Sequence, residues 1–112
     1  MWQKAKAMAV DVYRVSEGLP KAEMYGLTSQ VRRAAVSVAS NIAEGQDRLT
    51  KGEFSHFLGQ ARGSLLELET QLEIALDLGF VSEPEFNRFC EQFSEVRRLL
   101  NGLIDSVRAS NK

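Results

Sequence analysis

Apolar residues recur at intervals of three and four along almost the whole chain, in four separate stretches. In the first, Trp2, Ala5, Ala9, Val12 and Val15 share one helical stripe, and "EGLP" (17–20) ends it with a glycine and a proline. The second stripe is Val31, Ala35, Val38 and Ile42 within a helix from Leu27 to Glu44, with Gly45 in the C-terminal capping position. The third is the longest and runs Phe54, Leu58, Ala61, Leu65, Leu68, Leu72, Ala75. Thr50 and Glu53 form a capping box ahead of it, in which each side chain can satisfy a backbone donor that the first turn leaves unpaired. Gly79 stops this helix, and Ser82 with Glu85 repeats the box before a fourth stripe of Phe86, Phe89, Phe93, Val96, Leu100, Leu103 and Val107. Nothing alternates with period two between turn signals, so no strand is predicted. Four amphipathic helices on short connections imply an all-α, antiparallel up-down-up-down four-helix bundle. At 112 residues the chain is long enough for a single domain spanning 1–112 and too short for two.

The residues that do not fit these stripes carry the functional clues. Gly59 and Gly63 fall on the outward side of the third helix, and each costs a helix interior about 1 kcal/mol relative to alanine. Close approach of another subunit would use them; on a solvated face they are merely tolerated. Gln60, Ser64, Glu67 and Gln71 form a polar stripe beside the seam, so Gln60, Ser64 and Glu67 join the glycines as the expected oligomer interface. In "RRAAVSVASNIAEG" (32–45) the small side chains let neighbouring backbones come close. Arg33, Ser37, Asn41 and Glu44, at helical spacing on the edge of the core, are expected to pair in a structural polar network, because half-buried polar groups need partners.

Two longer stretches, "YGLTSQVRRAAVSVASNIAEG" (25–45) and "FSHFLGQARGSLLELETQLEIALDLGF" (54–80), resemble the bacterial four-helix-bundle proteins of the 23S rRNA intervening-sequence type. The resemblance rests on the Arg-Arg-Ala-Ala pair, the Ser-Asn-Ile-Ala-Glu-Gly helix end and the Gly-Ser-Leu-x-Glu-Leu-Glu run, and covers most of the chain. It implies a homo-oligomer, with ring-shaped pentamers known in the family, and no established biochemical activity. Proline often occupies the position that Ala39 holds here, so the second helix should be straighter. Some members are encoded within rRNA intervening sequences, and a more distant bundle family serves diversity-generating retroelements through basic surfaces. The resemblance thus points to RNA or a nucleoprotein as a partner.

Charge sharpens that picture. The net charge is −1, unlike a protein built mainly to bind nucleic acid. Residues 1–52 nevertheless hold eight Lys and Arg against five Asp and Glu, while residues 53–112 hold six against ten. The nucleic-acid candidates are Arg32, Arg33, Arg48 and Lys51, with Lys4 and Lys6 as extras; arginine pairs also dress solvated helix faces, and repetition around an oligomer would give weak patches avidity. The rival reading is a homo-oligomeric scaffold that binds a protein partner and no nucleic acid.

Catalysis finds little support. A di-metal carboxylate bundle takes a Glu-x-x-His motif from each of two helices, and this chain has one histidine, His56, paired with Glu53. No local spacing ties a nucleophile to His56, and no Gly-x-x-x-x-Gly-Lys-Ser/Thr phosphate loop is present. No enzyme activity, metal or cofactor is expected. Cys90 is the sole cysteine, so no disulfide can form within the chain, and it reads as a small hydrophobe. Lys4, Lys6 and Asp11 interrupt any apolar run at the start, so no signal peptide, membrane span or membrane partner is expected, and a cytoplasmic location follows.

Overall fold

A computed structural model describes residues 1–110. Four α-helices account for most of the described residues: α1 (Trp2–Ser16), α2 (Leu27–Gln46), α3 (Lys51–Asp77) and α4 (Glu83–Ser110), with a 3-10 turn at Lys21–Glu23. No strand occurs among the described residues. The four-helix bundle measures 48 × 24 × 19 Å, and the 28 residues of α4 account for about 42 Å of its length at 1.5 Å each. Consecutive helices pack on each other, and α1 also meets α4.

One core runs through all four helices. Met8 and Val12 of α1, Val31, Val38 and Ile42 of α2, Leu58, Leu65, Leu68 and Leu72 of α3, and Val96 and Leu100 of α4 are fully or almost fully buried. Each such aliphatic side chain contributes about 1.5–3 kcal/mol relative to an exposed one. The α2 stripe is fully buried, as is the α3 stripe from Leu58 to Ala75, whereas Trp2, Val15, Phe54 and Phe86 are only partly buried and Met8, outside the expected stripe, is fully buried. Ile104 is buried and Leu103 only partly so. Ile104 follows Leu100 by four residues and precedes Val107 by three, so the buried side of α4 keeps the three-four spacing through Ile104.

The punctuation works as chemistry. The Glu53 amide donates to Thr50 Oγ1 at 3.1 Å, capping α3. The second box is reciprocal: the Glu85 amide donates to Ser82 Oγ at 3.3 Å and the Ser82 amide donates to Glu85 Oε1 at 3.0 Å. Gly79 takes φ +78, the left-handed region that favours glycine. There its amide reaches Leu76 O at 3.0 Å and the Phe80 amide reaches Ala75 O at 2.8 Å, closing α3 as a Schellman motif. Gly26 has no side chain to cap α2, and Glu23 Oε1 serves instead by accepting from the Leu27 amide at 3.2 Å.

Gly45 departs from the expected capping role. The helix continues through it to Gln46, and Gly45 is buried. A Cβ placed there would lie 3.0 Å from a ring carbon of Phe54 and 3.1 Å from Cβ of Phe57. Its job is therefore close approach between α2 and the first turns of α3. Gly59 and Gly63 are the opposite case, since a Cβ on either would meet nothing within 4 Å.

Gly45→Val should therefore lose about 1–3 kcal/mol through overpacking, read as a lower urea midpoint. Gly59→Ala, tested at concentrations where the chain is dissociated, should gain up to about 1 kcal/mol. The Ser82 amide, and after it the Ser82 hydroxyl, hold the Glu85 carboxyl below its usual value of 4.5. A carboxyl lowered on folding contributes stability in full above its unfolded pKa and loses it as pH falls through the folded one. Wild type should therefore lose more stability than Glu85→Gln on acidification below about pH 4.5, measured by denaturant titration at each pH.

Candidate functional site

Arg32 and Arg33 are neighbours in sequence but turn to different sides of α2, because successive helical residues lie about 100° apart. Arg32 lies against α1. Its Nε donates to Ser16 Oγ at 2.7 Å, its guanidinium sits 4.8 Å from the centre of the Tyr13 ring, and the Ser16 hydroxyl in turn donates to Tyr13 O at 2.9 Å. Ser16 is itself buried, so this arginine works as a strap between α1 and α2. Arg33 is exposed on the α2/α3 side, over a shallow groove lined by Gln30, Ser37, Ser64, Glu67 and Gln71, and makes no ion pair among the described residues.

Arg48 lies beyond the C-terminal end of α2, whose last residue, Gln46, is about 20 Å from Arg33 at 1.5 Å per residue. It pairs with Glu44 at 3.5 Å and stacks 4.5 Å over the Phe57 ring. Lys51 opens α3 beside it. The four candidate cations therefore do not form one continuous patch on the protomer: one is committed to α1, one is free on the α2/α3 face, and two stand at the α2–α3 connection.

The polar network forms in smaller compass than expected. Asn41 Nδ2 donates to Ser37 O at 2.8 Å and to Ser37 Oγ at 3.0 Å, and Ser37 Oγ lies 2.8 Å from Ser64 Oγ. Ser37 and Asn41 are thus brought together, whereas Arg33 and Glu44 stand outside the network, Glu44 being occupied by Arg48. Ser64, expected at a contact with another subunit, is bonded to α2 of its own chain. Gln60 and Glu67 are exposed beside it, and Gly59 and Gly63 are exposed on the outer face of α3. Around the bundle, Lys4 pairs with Glu95 and Gln92 Nε2 donates to Asp11 Oδ2 at 2.8 Å, joining α1 to α4. Arg97 pairs with Glu69 and Arg62 donates to Asn101 Oδ1 at 3.1 Å, joining α3 to α4. The hydrogen bond from Lys4 pulls the Glu95 carboxyl below its usual value.

His56 is exposed, with its ring edge-on to Phe57 at 5.5 Å. Among the described residues no group of three His, Cys, Asp or Glu side chains could hold a metal ion, and no helix is long and apolar enough to cross a membrane.

Two surfaces escaped the sequence reading. A groove between α1 and α2 is lined by Trp2, Val10, Tyr13 and Val36 above the small side chains of Ala39 and Ala43. On the far side of the bundle, α3 exposes Leu66 and Ile74. Both could have been suspected from valines, leucines and an isoleucine at positions facing away from the seam.

The family model described as 23S rRNA-intervening sequence protein matches residues 1–102. The fold is similar to the crystal structure of a protein with unknown function from the S23 ribosomal protein family of Bacteroides thetaiotaomicron. The TM-score is 0.86 at 20% identity, over 92% of this chain and 96% of that one, a likeness that shows the fold alone. No curated protein matches the chain.

Arg32→Ala should cost about 1.5–3 kcal/mol, the range for a lost hydrogen bond from a charged group, while Arg33→Ala should change stability by no more than about 0.5 kcal/mol. Urea unfolding of the two single variants separates the strap from the free cation.

Proposed function

Because this chain belongs to the 23S rRNA-intervening sequence protein family, we propose that it is a non-enzymatic protein that works by assembling with copies of itself, as a single-domain, antiparallel up-down-up-down bundle of the cytoplasm. The cross-helix pairs support that topology, since residue numbers fall on one helix as they rise on the next. Ser37 meets Ser64 and Gly45 meets Phe54 and Phe57; Arg62 meets Asn101 and Glu69 meets Arg97. One core shared by four helices supports the single domain.

The observation that carries self-assembly is apolar surface on two faces of one small bundle. Val36 is 43% and Ile74 45% exposed, on α2 and α3 respectively, with Val10, Tyr13 and Leu66 beside them. Apolar clusters of this kind mark interaction sites. The titrating groups shifted by their surroundings, Glu85 and Glu95, sit at a helix cap and an interhelical ion pair, which suits a structural role better than a catalytic one.

A second reading, favoured by Arg33, is that the assembled protein binds RNA or a nucleoprotein. An exposed arginine without an ion-pair partner costs little to bring to a phosphate, and an oligomer repeats it, with Arg48 and Lys51, around its axis. A ring of five is the expectation that the family resemblance supplies.

Size-exclusion chromatography with light scattering and absorbance at two wavelengths tests both readings. Self-assembly predicts a mass that is an integer multiple of 12.5 kDa, and a monomer at about 100 µM, a concentration at which a micromolar interface is saturated, contradicts it. The RNA reading predicts excess nucleic-acid absorbance at low salt that is lost as salt rises and is reduced in Arg33→Ala; a clean multimer at low salt leaves the scaffold.

A further inference from the structure

We propose that the groove between α1 and α2 of one copy receives the outward ridge of α3 of a second copy, giving a head-to-tail seam between unlike surfaces. The proposal rests on the self-assembly argued above and names the surfaces that perform it.

The ridge is built on a four-residue spacing. Leu66, Thr70 and Ile74 follow one another on the side of α3 turned away from its buried positions Leu65, Leu68 and Leu72, and all three are exposed. Thr70 Oγ1 donates to Leu66 O at 3.0 Å, which satisfies the hydroxyl within its own helix and leaves the methyl group to the face. Toward the N-terminal end of the ridge, Gly59 and Gly63 leave the backbone bare, since a Cβ there would meet nothing within 4 Å. The groove is the complementary shape. Val10 and Tyr13 from α1 and Val36 from α2 form its walls, and Ala39 and Ala43 keep its floor low. A helix whose residues at i, i+4 and i+8 are apolar lies in such a two-helix trough with those side chains as anchors.

Charge says what the occupant is. The rim of the groove carries Lys6 and Arg14 of α1, about 12 Å apart along the helix, and Arg32 of α2 lies over the Tyr13 ring beside it. The rim holds one acid, Glu17, at its far end. From Gly63 to Asp77, α3 carries four acids and no basic residue. Glu67 and Glu73 flank the ridge and are exposed, with Asp77 one turn beyond Glu73. An apolar trough with a mainly basic rim thus finds an apolar ridge with acidic flanks in a second copy of the chain. Opposite potentials steer encounter and fix register, while like-charged pairings are disfavoured. Because the two mating surfaces differ and lie on different sides of the bundle, each copy can give a ridge to one neighbour and a groove to another, which closes into a ring when the rotation permits.

The test uses Val36→Glu, which spoils the groove, and Ile74→Glu, which spoils the ridge; both positions are exposed, so helicity by circular dichroism should match wild type. Head-to-tail docking predicts that each variant alone is a monomer. An equimolar mixture should then form a heterodimer of twice 12.5 kDa, because the intact ridge of Val36→Glu fits the intact groove of Ile74→Glu. If wild type assembles while Ile74→Glu keeps the wild-type mass, or the mixture stays monomeric, this seam is wrong and the assembly uses other surfaces. If wild type is itself monomeric, self-assembly fails and the seam with it. Should either glutamate variant lose helicity, cysteines answer the same question in a Cys90→Ser background. Val36→Cys mixed with Ile74→Cys should cross-link with a short bismaleimide at least tenfold more than either protein alone, and equal yields overturn the seam.

Discussion

The rest of this bundle depends on how close α2 and α3 come to each other. At one end Gly45 gives up a side chain so that the Phe54 ring and Phe57 can lie against the backbone of α2. Midway, the hydroxyls of Ser37 and Ser64 meet at 2.8 Å, and Asn41 holds Ser37 in place with two hydrogen bonds from its amide nitrogen. Small side chains and a satisfied polar chain replace bulk at this seam, and dense packing repays the loss of apolar volume through close contact. With α2 and α3 fixed as a pair, α1 closes on α2 through the Arg32 strap, and α4 closes on α3 through Arg97 with Glu69 and Arg62 with Asn101.

That arrangement decides which residues are left for function. Arg32 is spent on α1, where its guanidinium lies on Tyr13 and its Nε on Ser16. Arg33, one position on, faces outward and remains free of ion pairs. Tyr13, fixed beneath Arg32, forms part of the wall of the α1/α2 groove, so the same contact that joins the two helices also shapes the trough between them. The polar groups that could have formed a buried reactive centre are instead distributed as caps and interhelical pairs near the surface. The outer surface left by this arrangement is apolar in the α1/α2 groove and on the outside of α3.

Most of the fold was legible in the chain because three-four periodicity reports burial directly: the stripes on α2 and α3 are the buried positions, and Thr50 and Ser82 cap the helices they precede. Gly45 was misread as a helix end because a glycine after a helical stripe has two physical meanings, a left-handed cap or a close approach, and only the neighbouring rings tell them apart. The arginine pair was legible as chemistry but not as placement, since one residue of rotation sends Arg32 to α1 and Arg33 to the α2/α3 side. Ser64, in the polar stripe beside the seam, was assigned to a contact with another subunit because its partner, Ser37, lies 27 residues away. The groove and the ridge were illegible for a related reason: an exposed valine or leucine means little singly, and becomes a surface when packing lines up Val10 with Val36.

Trp2, the single tryptophan of the chain, lines the α1/α2 groove and so reports from within the surface at issue. The most direct measurement is acrylamide quenching of Trp2 fluorescence across a dilution series from about 100 µM to about 10 nM, a range that spans the dissociation of a micromolar interface. If another copy covers this groove, quenching is weak in the concentrated protein and rises through a sigmoidal transition on dilution. Strong quenching at every concentration, the same at about 100 µM as at about 10 nM, would mean that nothing covers the groove, and would contradict the account.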